Sequence, residues 1–280
     1  MVSLKGAEIS AKIQTEVERQ LEELGGYVPT LAIVRVGEKP DDLSYERGAL
    51  SRMKKYGLGA VSYAYPQDIS MEEFREEFRR INEDEEVDGI LLLKPLPPQL
   101  DEKEIERMID PVKDLDGISP ENIARVFSGD ETGFAPCTAE AVVRILKGYG
   151  VSMEGKRAVI VGRSPVVGRP LAMLFLKEHA TVTVCHTRTR ELERVCREAE
   201  ILVAAAGNPR MIGADHVGEG AVAVDVGINV DENGKLCGDM DFEAVAGKAS
   251  MVTPVPGGVG AVTTSVLAEH LVRAAAMRRA

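Results

Sequence analysis

Four short apolar runs in the second half of the chain, at residues 158–161, 181–185, 201–205 and 221–226, limit the fold more than any other feature. Short runs made mostly of Val, Ile, Leu, Ala and Thr suit the strands of a parallel sheet, which requires helices on both sides. Helical patterns at 167–178 and 190–199 separate the first three, so the spacing predicts a doubly wound unit. The first half has the same logic. Strands are predicted at 31–36, 60–65 and 87–93, and helices over 4–24, over 43–56 and after Ser70, which with Glu73 reads as a capping box. Gly25 and Gly26 stop the first helix, and Pro95, Pro97 and Pro98 end the third strand. Two further helices are expected, one over 139–147, capped by Thr138 and ended by Gly148, and one over about 262–277. The predicted architecture is two α/β domains, the second a Rossmann-type doubly wound parallel sheet, with a cleft between them.

Composition removes several classes of function. The 280 residues are 44% hydrophobic and 28% charged, values of a folded globular chain. Acidic residues outnumber basic ones 45 to 34, and the net charge of -11 repels a phosphate backbone, so no nucleic-acid partner is expected. The four cysteines form no CxxC pair, which points away from zinc and from a disulfide framework and toward a reducing cytoplasm. No run reaches the roughly 18 apolar residues of a membrane span, and the first residues enter an amphipathic pattern, so neither membrane insertion nor secretion is expected.

The strand at 158–161 leads into Gly162-Arg163-Ser164-Pro165-Val166-Val167-Gly168 and then a helix, where a Rossmann unit places its phosphate loop. Ser164 stands in place of the usual middle glycine. Taken alone, the loop reads equally well as a plain strand-to-helix turn.

Its company decides. VDGILLLKPLP (87–97), KDLDG (113–117), PCT (136–138), VGRSPVVGRP (161–170), DVGIN (225–229) and PVPGGVGAVT (254–263) follow in order. Together they resemble the methylenetetrahydrofolate dehydrogenase/cyclohydrolase family, the FolD proteins, over essentially the whole chain. The resemblance implies a folate-binding catalytic domain at 1–138, completed by the helix at about 262–280, and a Rossmann dinucleotide-binding domain at 139–261. It also implies a homodimer. Family members oxidise 5,10-methylenetetrahydrofolate to the methenyl form by hydride transfer to a nicotinamide, and most hydrolyse that product to 10-formyltetrahydrofolate.

By the same resemblance, Tyr45 and Asp116 are the catalytic and substrate-binding positions, Asp116 gripping the amino-pyrimidine edge of the pterin as a bidentate acceptor. Without the resemblance, Asp114 and Asp116 beside Gly117 read as turn-formers. Pro256, Gly257 and Gly258 line the floor under the nicotinamide and contact the substrate. Gly162, Arg163, Ser164, Val167, Gly168, His186, Thr187, Arg188, Ile228, Gly258 and Thr263 are the expected cofactor residues. The strand at 181–185 is followed by no carboxylate before Glu191, whereas Arg163 and Arg188 or Arg190 suit a 2'-phosphate, so NADP is expected over NAD. His186 has no second ligand at metal spacing, and no metal is expected.

Four departures stand out. The family places a lysine four residues after the tyrosine, one helical turn along the same face, and this chain has Ala49 there. Leu93 replaces the glutamine that holds that lysine, Asp42 replaces a serine, and Ala261 replaces a proline. Arg52, two turns along, stays protonated and is a poor base. Lys94 is the possible substitute, although strand alternation turns it to the opposite side from position 93. Oxidation depends on positioning and survives such losses, whereas hydrolysis needs proton transfer. The expected activity is therefore an NADP-linked dehydrogenase with cyclohydrolase activity weak or absent. The alternative is a fully bifunctional enzyme in which Lys94 or a bound water replaces the lysine. An alternative of another class, a folate- or nucleotide-binding protein without turnover, has Tyr45, Asp116 and PVPGGVG against it.

Overall fold

The computed structural model describes residues 1–279 and divides into two compact units. One comprises Ile13–Cys137 with residues 264–279, the other Met1–Lys12 with Thr138–Thr263. Strand β1 (Val2–Ser3) and helix α1 (Gly6–Glu23) open the chain. Next come β2 (Thr30–Val36), α2 (Pro40–Lys55), β3 (Gly59–Tyr65), α3 (Met71–Glu83) and β4 (Gly89–Leu92). These strands form a parallel sheet in the order β3-β2-β4, with Leu31 opposite Ala60 on one side and Gly89 on the other. Ala32, Val34 and Val36 recur at the period of a strand and pack with Phe74, Phe78, Ile90 and Leu92 in one buried cluster. Ser70 and Glu73 cap α3 reciprocally, as predicted. Helices α4 (Glu102–Met108), α5 (Pro120–Ser128) and α6 (Cys137–Gly148) follow.

The second sheet contains β5 (Arg157–Val161), β6 (Thr181–Cys185), β7 (Ile201–Ala204) and β8 (Val222–Asp225), with α7 (Gly168–Lys177) and α8 (Leu192–Arg197) as connections. A hairpin, β9 (Asn229–Val230) with β10 (Leu236–Cys237), precedes α9 (Phe242–Ala246), β11 (Met251–Val252) and α10 (Val259–Arg279). The order is β1-β11-β8-β7-β5-β6, with every neighbouring pair parallel. From β5 the chain moves first to β6 on one side and then to β7 on the other. The loops leaving β5 and β7 therefore border the switch point, where open α/β sheets bind ligands.

Several boundaries differ from expectation. The second helix starts at Pro40 rather than in the residues after it, because proline at the first helical position has a suitable φ and needs no N–H partner. Helix α6 starts at Cys137, so Thr138 lies inside the first turn and is no cap. Val2 and Ser3 pair with Met251 and Val252, and residues 1–12 group with the unit that holds the second sheet. Among the described residues no helix is long and apolar enough to cross a membrane.

Asp88, fully buried, ties three elements of its unit. It accepts hydrogen bonds from the Tyr27 hydroxyl at 2.8 Å and the Thr30 N–H at 2.9 Å, and pairs with Arg278 at 3.0 Å. Removing one partner of a buried ion pair leaves the other uncompensated. Asp88→Ala is expected to lower unfolding stability by ~3 kcal/mol, read from the denaturant midpoint at unchanged slope.

Candidate active site

The KDLDG segment lies along the exposed edge of β4. Ile90 N–H donates to Lys113 O at 2.7 Å, and the Lys113 ammonium donates to Asn82 O and Asp84 O, both at 2.7 Å. The two aspartates then divide their roles. Asp114 accepts from Ile118 N–H at 3.0 Å, Ser119 N–H at 2.7 Å and the Asn122 side chain at 2.9 Å, so it is the turn-former. Asp116 accepts from Cys137 N–H at 2.8 Å, which orients the carboxylate at the start of α6. Gly117, directly after Asp116, has φ +60, and a Cβ there would overlap Phe134 O, so only glycine fits.

Tyr45 shares this site. Burial raises its phenol well above the ordinary value, and the charges of Asp116 and Cys137 raise it further, so it remains a hydroxyl donor. Burial also raises the Asp116 carboxyl, only partly offset by the hydrogen bonds from Cys137; nearby Asp114 adds to the rise and His270 opposes it. His270 went unnoticed in the sequence because a histidine inside an apolar helix gives no motif. Its Nδ1 lies 2.8 Å from Leu115 O, and since a carbonyl can only accept, Nδ1 carries the proton. The Cys137 sulfur is 3.7 Å from the same nitrogen.

The departures are built into the packing. Ala49 is fully buried on the inward face of α2, and Leu93 is 6% exposed with its N–H bonded to Val34 O at 2.9 Å. Lys94 is held by Glu106 and lies 3.5 Å from Glu102. Burial pulls its pKa down, but the two carboxylates outweigh burial and leave it above the ordinary lysine value. An ammonium so held is no base at neutral pH, which removes Lys94 as the substitute. Arg52 is engaged with Thr264 Oγ1 at 3.2 Å and sits over the Tyr56 ring.

In the other unit, Gly162 has φ +134, and a Cβ there would overlap Ala205 O; one on Gly168 would overlap Gly162 O. The loop is therefore compact, and Ser164 closes it, its Oγ accepting from Val167 N–H at 3.1 Å and its O from Arg169 N–H at 3.1 Å. The serine in place of glycine is a local cap. Beyond β6, Arg188 N–H donates to His186 Nδ1 at 3.1 Å and His186 N–H to Thr189 Oγ1 at 2.9 Å. This tight turn leaves Thr187, Arg188 and Arg190 exposed, and Arg163 is exposed in the loop after β5. A compact glycine-bearing loop with exposed cations fits a phosphorylated dinucleotide. Among the described residues no cluster of metal-ligating side chains occurs.

The PVPGGVG loop is anchored by Gly6, whose N–H donates to Gly257 O at 2.8 Å. The Val255–Pro256 peptide is cis, Gly257 has φ +99, and Pro256 and Gly257 are exposed while Gly258 is buried. Ile228, 67% exposed, reaches the loop: its Cδ1 lies 3.4 Å from where a Cβ of Gly260 would stand. Thr263 does not present itself to a ligand. It is 3% exposed and its hydroxyl donates to Val259 O at 3.2 Å within α10.

The fold and these loops define a two-unit α/β protein with a Rossmann-type sheet. Residues 4–116 match the tetrahydrofolate dehydrogenase/cyclohydrolase catalytic domain and residues 136–279 the NAD(P)-binding domain of the same family. The chain belongs to the tetrahydrofolate dehydrogenase/cyclohydrolase family. It is 52% identical over 273 residues to "Bifunctional protein FolD" of Alkaliphilus oremlandii, covering 97% of this chain and 96% of that one. Among solved structures it resembles the bifunctional FolD enzyme of Campylobacter jejuni (39% identity, TM-score 0.96, 99% of each chain). It also resembles the Trypanosoma brucei enzyme complexed with NADP and an inhibitor (33% identity, TM-score 0.93, 100% of this chain and 99% of that one).

Asp116→Asn is expected to weaken binding of a tetrahydrofolate ligand at least tenfold, because an amide offers one acceptor oxygen in place of two, and to leave NADP binding unchanged. In the wild type, folate affinity should fall as pH drops, starting above the ordinary aspartate value of 3.8, since burial lets the proton return early. Calorimetric titration with each ligand across pH checks both. Equal loss of the two ligands in Asp116→Asn would make this aspartate structural.

Proposed function

We propose that this chain oxidises 5,10-methylenetetrahydrofolate to the 5,10-methenyl form with NADP and also hydrolyses the methenyl form to 10-formyltetrahydrofolate. The observation that carries the oxidation is the oriented Asp116 carboxylate beside Tyr45, in a stretch matching the family's catalytic domain. Relatives named bifunctional, at 48% to 52% identity, support the second reaction. They favour the fully bifunctional alternative over the weak or absent hydrolysis expected from Ala49 and Leu93. Intact site residues and family membership disfavour a binding protein without turnover.

Asp116 holds the pterin edge through two parallel hydrogen bonds and Tyr45 donates its hydroxyl, so the folate is oriented before reaction. A nicotinamide bound at the second unit supplies the hydride acceptor. No base on the chain is needed for that transfer, because the folate's own nitrogen lone pairs stabilise the positive charge that develops. Hydrolysis asks more of the protein, since water must lose a proton as it adds to the methenyl carbon. With apolar Ala49 and Leu93 at the family's lysine and glutamine positions, and Lys94 committed to Glu106, that proton passes to solvent. Hydrolysis is therefore the slower reaction. NADP is favoured over NAD by Arg163 and Arg188 and by the NADP complex of the related trypanosomal enzyme. A cytoplasmic homodimer is part of this proposed reading.

Arg163→Ala and Arg188→Ala should each raise KM for NADP about tenfold and leave KM for NAD within twofold, since only NADP carries the 2'-phosphate. A wild type that prefers NAD would refute the arginine clamp.

The hydrolysis is tested by following methenyltetrahydrofolate directly. Wild type should consume it measurably faster than buffer, and Ala49→Lys with Leu93→Gln should accelerate that by about 10² or more, with oxidation little changed. Consumption no faster than buffer would restore the reading of a dehydrogenase alone.

A further inference from the structure

The loops assigned to the dinucleotide are joined by a carboxylate that belongs to none of the recognised motifs. Asp239, fully buried, accepts from Ala206 N–H at 2.6 Å and Gly207 N–H at 2.9 Å on Oδ2. On Oδ1 it accepts from Asn208 N–H at 2.8 Å and the Asn229 side chain at 2.9 Å. Three consecutive amides converging on one anion form the kind of nest that elsewhere cradles a phosphate. Here the chain's own carboxylate fills it.

A second carboxylate lies behind the first. Asp225 accepts from Asp239 N–H and Gly227 N–H, both at 3.0 Å, and from Met240 N–H at 2.9 Å. The two acids interlock with two glycines: a Cβ on Gly227 would overlap the Asp239 carboxyl, and one on Gly238 would overlap that of Asp225. Such close packing leaves the Asp239 carboxylate no alternative position.

The geometry follows from peptide planarity. When the N–H groups of residues 206–208 point at Asp239, the carbonyls sharing those peptide planes, of Ala205, Ala206 and Gly207, point the opposite way. Ala205 O accordingly occupies the space a Gly162 Cβ would need. The turn after β7 is thereby set against the phosphate loop after β5, at the switch point of the sheet. The fourth hydrogen bond fixes Asn229, next to Ile228, which reaches Gly260. One side chain thus sets two walls of the place where a dinucleotide binds.

We propose that Asp239 is a positioning residue for NADP, acting through the 205–208 turn and through Asn229 rather than by touching the cofactor. This rests on the NADP reading above. The test is calorimetric titration of the full chain with NADP, together with KM and kcat for both substrates. Asp239→Asn turns an amide NH2 toward N–H donors and should raise the Kd for NADP about tenfold or more, with folate affinity within twofold. Gly227→Ala, which pushes on the same carboxylate from behind, should act in the same direction. Asn229→Ala removes one of the four bonds and should give a smaller rise, which serves if the other variants fail to fold. Val245→Ala, a buried change in α9, is the comparison for general loss of stability. If the variants raise the NADP Kd no more than Val245→Ala does at equal loss of melting temperature, the positioning role is overturned. Wild type that binds NADP without oxidising methylenetetrahydrofolate would sink the proposed activity and leave this role standing. Wild type that binds no NADP would overturn both.

Discussion

Strand β5 has a parallel neighbour on each edge, and the chain must leave its carboxyl end toward one of them before returning to the other. That single choice opens the sheet at the end of β5 and brings the loops after β5 and β7 side by side. Both must then pass at backbone distance, so position 162 admits nothing larger than glycine. The other cofactor features follow: a closed loop needs Ser164 as its internal cap, and the facing turn needs an anion to hold its three N–H groups.

The folate-binding unit solves a related problem with two acids of the same segment. Asp114 takes on the backbone of the turn and is saturated by it, which frees Asp116 from structural duty. The division explains why two aspartates two residues apart have opposite fates: one is saturated by the turn, and the other keeps a single backbone donor from Cys137. His270 and Cys137 beside it complete a polar lining inside an otherwise apolar wall.

The elements with a strong local signal were legible: the strands through 31–36 and 158–161 are largely apolar runs and the helix opened by Ser70 carries its own capping box, so all three fall close to their predicted bounds. The short ones, such as β1, β11 and α9, contain too few residues for any period to register. Motif residues Gly162, Asp116 and Ile228 carried their own signal. Asp239 carried none, since an isolated aspartate next to a glycine looks like any turn and its four partners lie at 206, 207, 208 and 229. The orientation of Thr263 was not legible either, because a threonine at a helix start can turn its hydroxyl inward to a carbonyl as readily as outward. Lys94 was ambiguous until Glu102 and Glu106, from a helix with no clear period, were seen to enclose it.

The pair Ala49 and Leu93 has a pharmacological consequence. An inhibitor group aimed at position 49 meets the apolar, fully buried Ala49 and no hydrogen-bond donor from that side chain. Here an acceptor aimed at that position would be desolvated without compensation, whereas a small hydrocarbon group would gain contact area. The same two residues therefore give a chemical handle on this site, because a hydrocarbon group placed there gains contact that a polar or charged wall would not supply.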